Sequence, residues 1–335
     1  MVSNQDERID MLKIGVLGAG HLGKIHMKLI KEIETLELIG FYDPQDKNAS
    51  KAEEKLGVKR YTDLEELIHA CDAVDIVTST ISHYECARLA LKNSKHIFIE
   101  KPMTSSLEEA FSLVELIKEA GVKAQIGHVE RFNPAFLAVK DYPFDPMFIE
   151  SHRLAQFNPR GTDVSVIHDL MIHDIDIILK LVNTNVKNIH ASGVPIISDS
   201  PDIANARLEF DNGCVANVTA SRLSIKNMRK TRVFQRDSYV SIDFLEKKTE
   251  IFRLYNEQPS DFNTFELDLG EDKAKKYIHF DTPEIVPVNS IKMELEEFAL
   301  SIYHNTEPPV SALDGLRAME VAYGVLDKIQ RLNII

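Results

Sequence analysis

The sequence predicts two domains: an α/β domain on a doubly wound parallel sheet, then an α+β domain with an open, mostly antiparallel sheet. Three observations carry this. Short apolar runs alternate with helical patterns over residues 11–127. Beyond residue 181, strand patterns follow one another around turn signals with no helix between them. The chain has 335 residues, enough for two cores. The domains are therefore placed at 11–127 and 128–335, with the last helix able to pack back on the first domain.

Each element has its own signal. Residues 12–17 form an apolar run that stops at Gly18, as a buried parallel strand does. His21, Leu22, Ile25, Leu29, Ile30 and Ile33 then recur at helical spacing. A second strand, 36–42, ends at Asp43-Pro44. Helices follow at 49–56, closed by Gly57, and at 63–70. Strands at 73–78, 96–99 and 122–126 continue the alternation, with a helix at 84–91. In the helix 105–120, Ser105 and Glu108 have capping-box spacing, Leu107, Phe111, Val114 and Ile117 share a face, and Gly121 closes it. Residues 164–181 read as one helix. Strands at 204–210 and 215–221 flank Asp211-Asn212-Gly213, a hairpin turn signal, and strands at 232–236 and 239–244 flank Asp237-Ser238. A strand at 251–255 and helices at 291–304 and 311–332 complete the chain.

The formal net charge of -13 argues against a nucleic-acid partner, which needs a basic face. Cys71, Cys86 and Cys214 have no metal-ligand spacing and no even count, which fits a reducing, cytoplasmic compartment. Residues 1–10 lack the apolar core of a signal peptide, and no run approaches the roughly 20 apolar residues of a membrane helix.

Gly18-Ala19-Gly20-His21-Leu22-Gly23 is a G-x-G-x-x-G between a predicted strand and a predicted helix, the context in which that pattern binds dinucleotides. Gly18 permits the tight turn, Gly20 lets backbone approach a pyrophosphate, and Gly23 lets helix and strand pack closely. The helix N-terminus, at His21 and Leu22, offers N–H donors to phosphate. The first domain is thus read as a Rossmann domain. Asp43 ends the second strand where an acid holds the ribose 2′-hydroxyl and repels the 2′-phosphate of NADP, so the cofactor is read as NAD rather than NADP.

Ile97-Phe98-Ile99-Glu100-Lys101-Pro102 ends a buried strand in a charged pair, where open α/β sheets place ligands. A partly desolvated lysine beside a cationic nicotinamide gives up its proton more readily and can take one from substrate. Pro102 fixes its direction, by a cis bond in this reading. The plain alternative is a surface ion pair. Thr80 and His83, after the third strand, are placed at the nicotinamide pocket. Asp169 and His173 share a helix face, with Asp176 on the same side; an acid there orients an imidazole and supports its protonated form. Zinc ligation is the rival, but no further ligands stand at suitable spacing, so no metal is expected. Asp174 is read as a solvated acid. Arg131, with Asn133 beside it, leaves the ligand edge of the first sheet as a substrate contact or an ion-pair residue. Arg153 and Arg160 have the forked donors that hold a carboxylate or diphosphate, against the default of surface arginine.

The glycine fingerprint, Glu100-Lys101-Pro102, and Asp169 with His173 together resemble the Gfo/Idh/MocA oxidoreductase family over nearly the whole chain, including Pro308-Pro309-Val310-Ser311. The resemblance implies a nicotinamide cofactor, a sugar or cyclitol substrate, and Lys101 and His173 as proton-transfer residues with Asp169 beside them, at a cleft between domains. It also implies an open sheet whose exposed face joins subunits, as a homodimer or homotetramer. Met171 departs from the glycine common at that position. Gly127-His128-Val129-Glu130-Arg131-Phe132-Asn133-Pro134 resembles members that oxidise the 3-hydroxyl of UDP-N-acetylglucosamine. A dehydrogenase or reductase of a free sugar or inositol, and a non-catalytic NAD-binding regulator, are the competing readings.

Overall fold

Five strands, β1 (Leu12–Leu17), β2 (Leu36–Tyr42), β3 (Ala73–Ile76), β4 (His96–Glu100) and β5 (Ala124–Gly127), pair in parallel in the order β2-β1-β3-β4-β5. The structure, a computed structural model, describes residues 11–158, 164–260, 263–268, 270 and 275–332. A parallel bridge between Phe41 and Arg60 adds a stub beyond β2. Counting it, the order is the 3-2-1-4-5-6 of dinucleotide-binding sheets. β3 and β5 are buried at every residue, as expected for strands covered on both faces. The helices between them are α1 (His21–Ile30), α2 (Asp46–Leu56), α3 (Leu64–Ala70), α4 (His83–Lys92) and α5 (Leu107–Ala120). The cap of α5 is Ser106, whose side chain accepts from Glu109 N–H, while Glu109 accepts from the Ser105 backbone and hydroxyl. The box is shifted by one residue from the expected Ser105 and Glu108.

The chain divides into two compact units. The first holds residues up to Val129 together with Asn289–Leu316, so the segment expected in the second domain returns to the first. The physical reason is apolar packing: Leu295 and Phe298 of a C-terminal helix join Ile14, Met27, Phe41 and Phe98 in one core.

The second unit holds a nine-stranded sheet. A short helix, α6 (Pro134–Leu137), precedes β6 (Phe148–Leu154), and α7 (Ile172–Val182) follows it. The remaining strands are β7 (Val186–Val194), β8 (Ile203–Phe210), β9 (Val215–Ser221), β10 (Met228–Gln235), β11 (Ser238–Asp243), β12 (Lys248–Tyr255), β13 (Phe265–Leu267) and β14 (Lys276–Asp281). Their order is β13-β14-β12-β11-β10-β6-β9-β8-β7, antiparallel except where β6 meets β9 in parallel. The β8–β9 hairpin turns at Asp211-Asn212-Gly213 as expected, with Gly213 at φ +85°. The β10–β11 turn sits at Arg236-Asp237, since Gln235 already pairs with Ser238. The expected helix 164–181 is two pieces: a π-helical turn, Ile167–Met171, then α7. The C-terminal helices are α8 (Ser290–Tyr303), in the first unit, and α9 (Ala312–Leu332), which runs from the first unit's last residues into the second. Among the described residues no helix is long and apolar enough to cross a membrane.

Candidate functional site

Backbone geometry at the end of β1 builds the first part of the site. Gly18 has φ +102°, and a Cβ there would stand 2.6 Å from the Val77 carbonyl oxygen. A Cβ on Gly23 would stand 2.0 Å from the Gly18 oxygen, so only glycine lets α1 approach the strand this closely. Gly20 has nothing within 4 Å of a Cβ position and borders an open cleft. The first turn of α1 carries no acid of its own, which favours an anion at its N-terminus. These features fit a dinucleotide pyrophosphate.

Asp43 is 7% exposed and already committed on one side: Oδ2 accepts from Ala19 N–H at 2.7 Å and Oδ1 from Gln45 N–H at 2.8 Å. The carboxylate therefore locks the glycine loop to the end of β2, and Asp43 lines the cleft beside that loop, each oxygen keeping a further lone pair. That cleft has a volume of about 650 Å³. It brings together Gly18, Gly20, His21, Leu22, Asp43, Thr80, His83, Glu100 and Lys101, nine of the ten residues assigned to the cofactor from sequence. Gly23 is the tenth and serves packing. Gln45, Asn48, Ser82 and Cys86 also line it and had no distinguishing sequence signal. Burial pushes the Cys86 thiol up to about 11, which leaves it protonated and unreactive at neutral pH.

Lys101 follows β4, and the Lys101–Pro102 bond is cis. Its backbone N–H donates to Glu100 Oε2 at 3.2 Å. His83 clamps this corner: Nδ1 lies 2.9 Å from the Pro102 carbonyl oxygen and Nε2 3.2 Å from that of Thr78. Burial lowers the His83 pKa against the pull of those two carbonyls. Asp43 and Lys101 stand at the ends of β2 and β4, three strand spacings apart, or about 14 Å. That separation suits the two ends of one extended dinucleotide.

Beneath Glu100 lies a cluster that sequence reasoning missed. His26 of α1 is fully buried, with Nδ1 2.9 Å from Asp75 Oδ2 and Nε2 3.3 Å from Glu100 Oε1. Glu294 of α8, also fully buried, brings a carboxylate oxygen into the same group, so that ligand-type atoms of His26, Glu100 and Glu294 lie within 4.8 Å of one another. Burial alone would lower the His26 pKa, but the charges and hydrogen bonds of Asp75 and Glu100 outweigh it and raise it well above the ordinary value. Burial raises Glu294 strongly, and the Glu100 charge adds to the effect.

In the second unit, Asp169 sits in the π-helical turn and His173 in the first turn of α7, both half-buried. π-helical turns concentrate at functional sites because the wider turn redirects side chains. The other candidates here face one another. Arg131 makes a two-pronged pair with Asp176, both bonds 2.7 Å. Arg153, 3% exposed, donates to Asp174 at 2.7 and 3.3 Å and to Glu130 at 2.8 Å. Asn133 caps α6 through Ala135 N–H and donates to Glu130 and the Phe244 carbonyl. Asp174 is fully buried, correcting the expected solvated acid. Of the two readings of Arg131, the ion pair is the one seen, with Asp176 as partner, and the Arg153 donors go to Asp174 and Glu130. Arg160 lies outside the described residues.

The comparisons with known proteins agree with this geometry. A family model described as "Oxidoreductase family, NAD-binding Rossmann fold" matches residues 12–128, and the GFO/IDH/MocA C-terminal domain matches residues 117–237. The UDP-N-acetylglucosamine 3-dehydrogenase of Acidithiobacillus ferrooxidans is 36% identical over 242 residues, 72% of this chain and 77% of that enzyme. Its solved structure superposes with a TM-score of 0.85 at 30% identity, covering 96% of this chain and 98% of the other. The scyllo-inositol 2-dehydrogenase (NAD(+)) of Bacillus subtilis is 32% identical over 232 residues, 64% of this chain and 68% of that enzyme. Two matched domain models, a dinucleotide cleft and a strand-end lysine together place the chain in the Gfo/Idh/MocA family of NAD-binding oxidoreductases.

Proposed function

We propose that this protein oxidises a secondary hydroxyl of a nucleotide sugar with NAD, the best-supported substrate being the 3-hydroxyl of UDP-N-acetylglucosamine. The observation that carries the redox reading is Lys101 at the end of β4 in the same cleft as the glycine loop and Asp43. The similarity to the Acidithiobacillus ferrooxidans enzyme supports the substrate. The bound dinucleotide supplies the hydride acceptor. The protein's own residues handle the proton. Lys101 or His173 takes the hydroxyl proton, with Asp169 as the acid that orients His173 and stabilises its cation. His83 holds the corner on which Lys101 stands. Orienting reactants in this way supplies a large part of a dehydrogenase's rate. Asp43 favours NAD over NADP because a second negative charge beside its buried carboxylate is repelled.

Incubation with NAD and UDP-N-acetylglucosamine should give a product two hydrogens lighter by mass spectrometry. Turnover of inositol or a free sugar in place of the nucleotide sugar selects the second reading, which the Bacillus subtilis relative favours. Binding of NAD with no turnover of any of them selects a regulator.

The assembly we propose is a homodimer or homotetramer through the face of the second unit's sheet. A chain of ring contacts runs across that face from Phe148 through Phe234, Tyr239, Phe252 and Phe280 to Phe265, with centroids 4.2 to 5.9 Å apart. Phe234, Phe265 and Phe280 are exposed, a patch of the kind that marks association. Size-exclusion chromatography with light scattering tests it; a monomer at micromolar concentration removes this part of the proposal.

A further inference from the structure

The buried carboxyl of Glu294 has no role in the reaction as described, yet it sits in direct electrostatic contact with the cofactor cleft. Glu100 is the connection. Its Oε1 faces His26 in the interior, while its side chain also lines the cleft beside Lys101. Four elements converge on it: α1 brings His26, β3 brings Asp75, α8 brings Glu294, and β5 brings Gly127, where a Cβ would stand 3.0 Å from the Glu100 carboxyl. Phe98 and Phe298 wall off the interior side with edge contacts at 5.9 Å. Among the described residues neither carboxyl oxygen of Glu294 has a hydrogen-bond partner, although its backbone carbonyl accepts from Gln125 at 2.7 Å. A fully buried, unpartnered carboxyl beside a second carboxylate keeps its proton. Asp75 and Glu100 support His26 as a cation, and burial beside these acids keeps Glu294 neutral and raises Asp75 as well.

We propose that Glu294, acting through Glu100, is a proton reservoir for the dinucleotide site. It releases a proton to solvent when the oxidised cofactor binds and keeps it when the reduced cofactor binds. The oxidised nicotinamide ring brings one positive charge to the cleft; the reduced ring brings none. An added cation beside Glu100 offsets the repulsion between two carboxylates, so the second one can ionise. The balance is simple: protein with Glu294 protonated plus NAD⁺ gives the complex with Glu294 ionised plus one H⁺. No bond to the cofactor forms or breaks. Glu294 is thus a positioning residue for charge rather than a catalytic residue. The proposal rests on the dinucleotide reading of the cleft.

The other titratable groups lining the cleft are His21, Tyr42, Asp43, His83, Cys86 and Lys101. Burial already favours neutral His83, so it has no proton to release at neutral pH. Lys101 is the rival source. Calorimetric titration with NAD⁺ and with NADH, in buffers of different ionisation enthalpy, counts the protons. Wild-type protein should release a substantial fraction of one proton with NAD⁺ and little with NADH. Glu294→Gln, which matches the protonated carboxyl in shape, should lose the release and lower the NAD⁺-to-NADH affinity ratio on the order of tenfold on the alkaline side. Lys101→Met should keep the release. Equal proton counts for the two cofactors in the wild type overturn the proposal, and so does release that survives Glu294→Gln or vanishes in Lys101→Met. Release that appears only when Zn²⁺ is added after chelator treatment assigns His26, Glu100 and Glu294 to a metal and also overturns it. Failure to bind either cofactor is a different result, which removes the dinucleotide reading itself.

Discussion

Replacing Arg153 by methionine separates two roles for this residue, structural ion pairing and substrate binding. The guanidinium is 3% exposed and bonds Asp174 twice and Glu130 once. Burial alone would lower its pKa, but the two carboxylates raise it instead, so it is a permanent cation. Methionine matches its stem but leaves two buried carboxylates behind. Among the described residues Asp174 retains only the Ser151 hydroxyl at 3.1 Å, and Glu130 retains Asn133 at 3.0 Å and the half-exposed Arg229 at 3.6 Å. Breaking a buried pair from one side costs about 3–5 kcal/mol, because the partner is left uncompensated. For a unit of this size that is a fall of roughly 10 °C in melting temperature. Arg153→Lys keeps the charge but loses the fork and should fall in between. Urea unfolding with linear extrapolation, read beside calorimetric binding of a UDP-sugar, measures both roles. A methionine variant within about 1 kcal/mol of the wild type that no longer binds the UDP-sugar would refute the structural assignment, because the pair would then be dispensable and the guanidinium a ligand contact.

Lys101→Ala should abolish turnover while NAD affinity by calorimetry changes little; full activity in this variant removes the lysine from the mechanism. Asp43→Ala should weaken NAD more than NADP, and it should also loosen the Gly18–Gly20 turn, because Ala19 N–H loses its acceptor. An unchanged NAD-to-NADP preference in binding assays defeats the cofactor argument. Stability should fall as pH rises on the alkaline side. The folded-state pKa values of His26 and Glu294 both lie above their unfolded values, so the fold holds more protons than the unfolded chain between those limits. The His26 contribution is complete below its unfolded value and is lost as pH rises through the folded one. Glu294→Gln should flatten the dependence of melting temperature on pH; an unchanged slope would mean that Glu294 is ionised in the fold.

The parallel sheet was legible because its strands are buried on both faces and so read as unbroken apolar runs ended by glycine or charge. The glycine loop and the strand-end lysine were legible for the same reason: each punctuates such a run. β6 was not legible. Its inward face carries Ile149, Ser151 and Arg153, and two of those three are polar, so apolar alternation never appears. β7 is an edge strand with alternating exposure, and its polar residues look like loop. The α5 cap was misplaced by one residue because Ser105-Ser106 and Glu108-Glu109 offer two registers of the same box, and only the backbone distinguishes them. The π-helical turn under Asp169 leaves no compositional mark at all. His26 and Glu294 were passed over because a charged residue in an amphipathic helix is read as facing water, and here two helices turn those residues onto one strand end.

The two buried charge clusters differ in a way that bears on function. In the second unit, Arg131 and Arg153 face Glu130, Asp174 and Asp176, with Arg229 reaching Glu130 from the surface. Each of those carboxylates meets a guanidinium that cannot lose its proton, so that cluster fixes geometry. In the first unit, one imidazole faces three carboxyl groups, and one of these has no hydrogen-bond partner. That set cannot be fully ionised without strong repulsion, so it must hold exchangeable protons, and it touches the cleft where charge changes as the cofactor is reduced. Perturbed titration marks a functional site when the perturbing groups are themselves titratable and border a ligand cleft. By that criterion the Glu100 strand end, rather than the arginine-rich interior of the second unit, is where the protein stores a response to its ligand.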